Sequence, residues 1–183
     1  ATATYRLPAE DAPQATLYEN NQAAKYWHII MRPSGAINAS ANDMLALVRF
    51  LINRGTVNGE ALLSQTSIER MEVPQTSLAA RAGLTLGYGL SNYTSPHEGH
   101  VFHGHSGGIN GGLAELAYLP ELGVGYSFSI NGDKGAAVRD ISKLVKAYLL
   151  RDAAPVEKPT VASVSAEDQQ KYSGYYMPMN PRQ

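Results

Sequence analysis

The spacing of apolar residues changes twice along the chain, and the changes divide it. Residues 1–39 hold no sustained helical or strand period. Pro8, Pro13 and Pro33 interrupt them, and Tyr18, Tyr26 and Trp27 are scattered among polar residues. This predicts an irregular covering segment with one short strand near 26–31. A structureless stretch of that length is unusual inside a compact domain, so it is expected to lie over something else. From Ser40 the spacing is helical. Ser40 and Asp43 stand in the capping-box relation, each side chain within reach of the other's backbone N–H. Met44, Val48, Leu51 and Ile52 then fall on one face. Gly55 predicts a left-handed cap, and Asn58-Gly59 a tight turn. Ser64 caps a second, short helix ending before Pro74, and residues 75–86 read as a loop or partial helix.

From Gly87 the period falls to two, which predicts strands at 87–93, 101–106, 113–119 and 124–130. In the last of these Val124, Tyr126, Phe128 and Ile130 alternate with Gly125, Ser127 and Ser129, the pattern of a sheet with one buried face. Pro120-Glu121-Leu122-Gly123 joins the last two strands antiparallel. Residues 136–150 form an amphipathic helix with Ile141, Leu144, Val145, Tyr148 and Leu149 inward. Residues 152–164, with Pro155 and Pro159, read as a linker. Ser165 and Asp168 open another short helix, Gly174-Tyr175-Tyr176 starts a further strand, and the chain stops at Pro181-Arg182-Gln183. The fold class is α+β: an antiparallel sheet with helices packed on it. There is no internal repeat.

Composition narrows the functions. The chain has 183 residues, enough for one domain with a core and a short appendage. Fifteen Lys and Arg against 16 Asp and Glu leave a net charge of -1, without the concentrated positive field that nucleic acid or a polybasic membrane contact requires. No apolar run approaches the roughly 20 residues of a membrane span. The absence of cysteine excludes a disulfide scaffold, thiolate metal sites and a Cys nucleophile. The N-terminus has neither a start Met nor a signal-like pattern, which reads as a mature, trimmed or partial product.

The densest chemistry lies between His97 and Gly112. Four of the five histidines are there (His97, His100, His103 and His105), and Gly104, Gly107, Gly108, Gly111 and Gly112 follow closely. So much glycine implies a backbone that another group approaches. One reading is a strand edge presenting backbone N–H groups, with Gly108 supplying one and His105 a side chain. A second is a metal site, with His97 and His100 folded over His103 and His105 and Glu98 or Glu115 nearby, although the spacing fits no standard zinc pattern. A third is a glycine-rich hairpin with solvent-facing histidines. Elsewhere Trp27 reads as a packing residue, and Tyr88, Tyr93, Tyr118 and Tyr126 as sheet residues. Tyr88 or Tyr93 would serve to line a cleft. Asp43 reads as a cap and Asn110 as a turn residue.

His105-Ser106-Gly107 resembles the third motif, Lys-Thr-Gly or His-Ser-Gly, of the serine beta-lactamase and penicillin-binding-protein superfamily, class C-like branch, which includes esterases and D-aminopeptidases. A glycine-rich turn follows (Gly108, Gly111, Gly112), then Tyr118-Leu119-Pro120-Glu121-Leu122-Gly123 and Asn131. Upstream, Pro33-Ser34-Gly35, Ser40, Asp43-Met44, Leu62-Leu63-Ser64 and Gly87-Tyr88-Gly89-Leu90 also resemble the family, over roughly residues 30–150.

The resemblance implies part of a beta-lactamase/transpeptidase-like fold and a serine hydrolase that acts on amides, esters or beta-lactam-like acyl groups through an acyl-enzyme. It assigns catalytic roles to His105, Ser106 and Gly107 as the triplet and to Gly108 as an oxyanion-hole N–H, with no cofactor and no metal. It suggests a periplasmic or extracellular setting. However, no serine in the chain is followed three residues later by lysine, so the family's Ser-x-x-Lys is missing. Tyr18-Glu19-Asn20 spells the second motif, Tyr-x-Asn, but stands too near the helix entry to serve as it.

The expectation is therefore a C-terminal portion of a hydrolase domain at 1–151, without the nucleophile-bearing N-terminal half. A linker follows at 152–164, and the start of a β-rich appendage at 165–183. Such a chain would be inactive alone and would associate with its missing half or with itself around a small acyl substrate. The alternatives are a non-catalytic binding module, a decayed fragment or a histidine-rich metal-binding protein.

Overall fold

The computed structural model describes residues 3–5, 14–27, 29–30, 32–35, 37–75, 77–157 and 160–176. Among the described residues, two small hairpins, a 3-10 turn at Arg32–Ser34 and three α-helices precede the main sheet. β1 (Tyr18–Glu19) pairs with β2 (Gln22–Ala23). α1 (Ala41–Ile52) is followed by β3 (Thr56–Val57), β4 (Glu60–Ala61), α2 (Gln65–Glu72) and the single turn α3 (Leu78–Arg81). β5 (Tyr93–His97), β6 (His100–Ile109), β7 (Gly112–Leu119) and β8 (Val124–Ile130) then form one antiparallel sheet in that order. α4 (Gly135–Leu150) and the short α5 (Ala166–Lys171) follow. The architecture is α+β.

The helix starts obey their caps. At α1 Ser40 accepts from the Asp43 N–H at 3.2 Å, and the Asp43 carboxylate accepts from the Ser40 N–H at 3.1 Å. Ser64 and Ser165 cap α2 and α5 as the sequence requires. Val48 and Leu51 are buried, with Met44 and Ile52 packed beside them. Beyond α1 the left-handed residues are Arg54 and Gly55. Glycine is required at 55, because a Cβ there would lie 2.4 Å from the Leu63 carbonyl oxygen.

The sheet is covered on both faces. On one face Leu116 and Tyr118 of β7 pack against Val48 and Leu51 of α1 and Ile68 of α2. On the other, Phe102, Ala117, Leu119 and Tyr126 pack against Leu150 of α4. The result is three layers, helix on sheet on helix.

Several expectations are corrected. The strand expected at 87–93 begins only at Tyr93. Residues 87–92 bend across the end of α2, where Leu90 donates to the Met71 carbonyl and a Cβ on Gly89 would lie 2.1 Å from that oxygen. Gly108, expected in a turn, lies in β6, and the turn is made by Asn110 and Gly111. In α4 the buried residues are Ser142, Lys146 and Leu150, while Leu144 and Tyr148 point outward at 71% and 63% exposure. Polar bonds set this roll. Tyr126 Oη meets Ser142 Oγ at 2.9 Å, and Lys146 Nζ donates to Ser95 Oγ at 2.7 Å above the Phe102 ring.

The segment before residue 40 is less structureless than its pattern suggests. It forms the β1–β2 hairpin and fastens to one end of the sheet. Tyr18 N–H donates to the Gly111 carbonyl, Asn131 to the Thr16 carbonyl, and Asn20 N–H to the Asp133 carboxylate. Residues 26, 27, 29 and 30 lie in no strand, and Trp27, expected to be packed, is half exposed. Residues 174–176 also lie in no strand. Pro8, Pro13, His28, Met31, Pro159 and the end at 181–183 fall outside the described residues. No helix among the described residues is long and apolar enough to cross a membrane.

Candidate active site

The pairing of β6 is uneven. β7 pairs with it from His103 to Ile109, but β5 reaches only from His100 to Gly104. Among the described residues, 105–109 therefore pair with a strand on one side and with none on the other. Along an antiparallel strand, successive residues turn their N–H and C=O to alternate sides. Gly104 donates its N–H toward the β5 side, to the Asn92 side-chain oxygen at 3.0 Å. The same alternation turns the N–H and C=O of Ser106 and Gly108 to the open edge. A Cβ built on Gly107 meets nothing within 4 Å, so the strand offers room there.

His105 is held at the mouth of this edge. Its Nδ1 lies 2.5 Å from the Ser106 carbonyl oxygen, which only accepts, so Nδ1 carries the proton. Nε2 meets the Tyr88 hydroxyl at 3.0 Å. The Tyr88 and Tyr93 rings flank the imidazole, with centroids 5.9 and 5.7 Å away. Burial raises the Tyr93 phenol above its usual range, partly offset by a hydrogen bond with Ser106. His105, Ser106, Gly107 and Gly108 thus form one continuous edge beside two tyrosines.

The sequence model of the family described as Beta-lactamase matches residues 1–150. The chain belongs to this family. A search of curated proteins finds no match. The beta-lactamase match reaches further toward the N-terminus than the motifs that suggested it. It takes in the segment that fastens to the end of the sheet.

Behind the beta-lactamase edge runs a buried polar chain. Arg54 grips Glu72 with two bonds of 2.6 and 2.9 Å. Tyr118 Oη donates to Glu72 at 2.9 Å and accepts from Asn92 Nδ2 at 2.8 Å, and the Asn92 oxygen takes the Gly104 N–H. Glu72 holds the Arg54 guanidinium above its usual range by hydrogen bonding first. Burial, reinforced by Glu72, pushes the Tyr118 phenol well up. The chain fixes Asn92, and Asn92 fixes the point where β5 leaves β6 and the edge opens.

The four clustered histidines do not converge. His97 and His100 face each other at the β5–β6 hairpin, His103 lies against the Tyr118 ring, and His105 belongs to Tyr88. Among the described residues no three His, Asp or Glu side chains are grouped to hold a metal. His103 lines a cavity of about 400 Å³ with Glu69, Glu72, Pro74 and Leu84. Its Nδ1 is buried without a hydrogen-bond partner, and burial lowers its pKa. Glu98 sits in the hairpin turn. Glu115 lies opposite Ser106 on β7 and accepts from Tyr126 Oη at 2.5 Å, which leaves Ser142 as the donor to that hydroxyl.

Sequence reasoning named Tyr88 and Tyr93 without selecting between them, and the structure uses both. It missed Asn92, Arg54 and Glu72, whose partners lie 12 to 46 residues away and leave no local pattern. One serine–lysine pair does form in space, Ser95 with Lys146. It sits beneath α4, where burial lowers the lysine's pKa, and it joins the helix to β5.

Proposed function

We propose that the chain supplies the substrate-facing edge of a serine hydrolase acting on amide, ester or beta-lactam-like acyl groups. The nucleophile and its lysine base come from a Ser-x-x-Lys segment outside residues 1–183. The serine oxygen attacks the acyl carbonyl, its proton passes through the base to the departing amine or alcohol, and water later releases the acid. Gly108 N–H is one donor to the oxyanion, a contribution of about 3 kcal/mol for such a donor. Ser106 hydrogen-bonds the substrate carboxylate or carbonyl. His105, tied to Tyr88, orients the substrate or the proton-transfer network, and Gly107 leaves space for the acyl group.

The observation that carries this reading is the open half of β6, with the Ser106 and Gly108 backbone turned outward beside His105 in a beta-lactamase-family chain. The test is a burst assay on residues 1–183 alone, with nitrocefin and p-nitrophenyl acetate. Neither is turned over above background on this account. A stoichiometric burst from this chain would place the nucleophile within it and overturn the assignment.

A further inference from the structure

The residues that could close the half-paired strand lie next to it. Continued past Tyr93 in the register of β5, Asn92 would fall opposite His105, Ser91 opposite Ser106 and Gly89 opposite Gly108. That pairing would consume the Ser106 and Gly108 backbone groups, and each bond gained would favour it. Instead the segment doubles back along the outer side of β5. Tyr88 forms an antiparallel bridge with Tyr93, and Thr94 donates its N–H to the Gly87 carbonyl at 2.9 Å. Gly89, Leu90, Ser91 and Asn92 reverse the chain between them, with Ser91 left-handed at φ 50°. Asn92 is bonded on every side of this reversal. Its backbone carbonyl takes the Gly89 N–H at 2.7 Å and closes the turn. Its side-chain oxygen takes the Gly104 N–H at 3.0 Å, and its amide donates to Tyr118 Oη at 2.8 Å. It is 3% exposed.

We propose that Asn92 is a positioning residue: it keeps residues 89–92 off β6 and sets Tyr88 against His105. Its side-chain oxygen stands in for a backbone acceptor at Gly104, which ends β5 at Tyr93. The place between the Gly104 N–H and Tyr118 requires a side chain that accepts on one side and donates on the other, because Tyr118 already gives its proton to Glu72. Asparagine does both, whereas an ionised aspartate only accepts. The closed turn makes Tyr88 and Tyr93 bridge partners, which places both phenols on one side. Their rings bracket His105 with centroids 5.9 and 5.7 Å away, and the Tyr88 hydroxyl comes within 3.0 Å of Nε2. Through Tyr118 and Glu72 the turn is anchored to β7 and α2, so the placement of His105 is tied to the core. What the placement is used for rests on the proposed function; the placement itself is a matter of geometry.

The test is NMR on residues 1–183 at fixed pH, reading proton contacts between the Tyr88 and His105 rings and the His105 ring-nitrogen shifts. In Asn92→Ala the ring contacts are expected to be lost, with the nitrogen shifts moving to those of Tyr88→Phe. Adding Tyr88→Phe to Asn92→Ala should move them no further, the non-additivity of two residues that act through one contact. Leu150→Ala loosens the opposite face of the sheet and should lower stability while keeping the ring contacts, which separates positioning from a general loss of packing. Should Asn92→Ala not fold, the exposed Ser91 carries the test. Ser91→Pro forbids the left-handed conformation and should break the ring contacts, while Ser91→Gly should keep them. Contacts that survive Asn92→Ala or Ser91→Pro, or that vanish equally in Leu150→Ala, would overturn the proposal. So would nitrogen shifts that simply add in the double variant. That failure would leave the proposed function standing, and a nucleophile found within the chain would leave the placement of His105 standing.

Discussion

At the scale of single residues, the buried polar chain makes a stability claim. Tyr118→Phe removes the hydroxyl that links Glu72 to Asn92, leaving the Asn92 amide buried without that bond. The expected cost is about 1–3 kcal/mol in denaturant unfolding. Glu72→Ala leaves the Arg54 guanidinium without its clamp and should cost more, about 3–5 kcal/mol. His103 makes a claim about pH. Burial, with Arg54 adding to it, lowers its folded pKa below the ordinary 6.5, against the opposing pull of Glu72 and Glu121. The unfolded chain therefore binds a proton first as pH falls. The contribution of His103 is intact above about 6.5 and is lost on acidification through the folded pKa. His103→Phe keeps a ring against Tyr118 and removes the titration. Its unfolding free energy should fall less steeply than wild type between neutral pH and pH 5. An identical slope in both proteins would locate the sensitivity elsewhere.

At the scale of elements, α4 offers the sharpest contrast. Leu150 is buried against Phe102 and Tyr126, whereas Leu144 faces outward. Leu150→Ala should cost about 2–5 kcal/mol and Leu144→Ala within about 0.5. The amphipathic pattern alone ranks the two leucines as equals, so thermal unfolding of the pair separates the two orientations of the helix. The reason the pattern misleads is physical. Hydrophobic spacing specifies a face to within about one residue's rotation. Here the Ser142 and Lys146 bonds decide within that margin, and a polar residue on the sequence reads as outward.

The strand at 87–93 failed for a related reason. Gly-x-Gly alternation looks like a strand, yet Gly89 is small because the α2 backbone passes close by. What was legible was local. The capping box at Ser40, the tight turn at Asn58-Gly59, three of the four sheet strands and the triplet on β6 all lie within a few neighbouring residues. The partners of His105 were not legible, because Tyr88 is 17 residues away and reaches it only through the bend that the strand reading had straightened.

At the scale of the whole molecule, the sheet, its two helical layers and the N-terminal fastening all serve to hold one half-paired strand. On the proposed function, this edge binds and polarises an acyl substrate. That assignment is tested most directly by joining residues 1–183 to an upstream segment carrying Ser-x-x-Lys and measuring kcat/KM for nitrocefin and p-nitrophenyl acetate. Intact mass spectrometry of the acyl adduct accompanies the kinetics. Turnover and a serine adduct on the added segment are expected. A fall of about a hundredfold in kcat/KM on His105→Ala or Ser106→Ala is also expected, in line with the loss of one preorganised polar contact. Turnover that both substitutions leave unchanged, or an acyl adduct mapped within residues 1–183, would contradict the assignment.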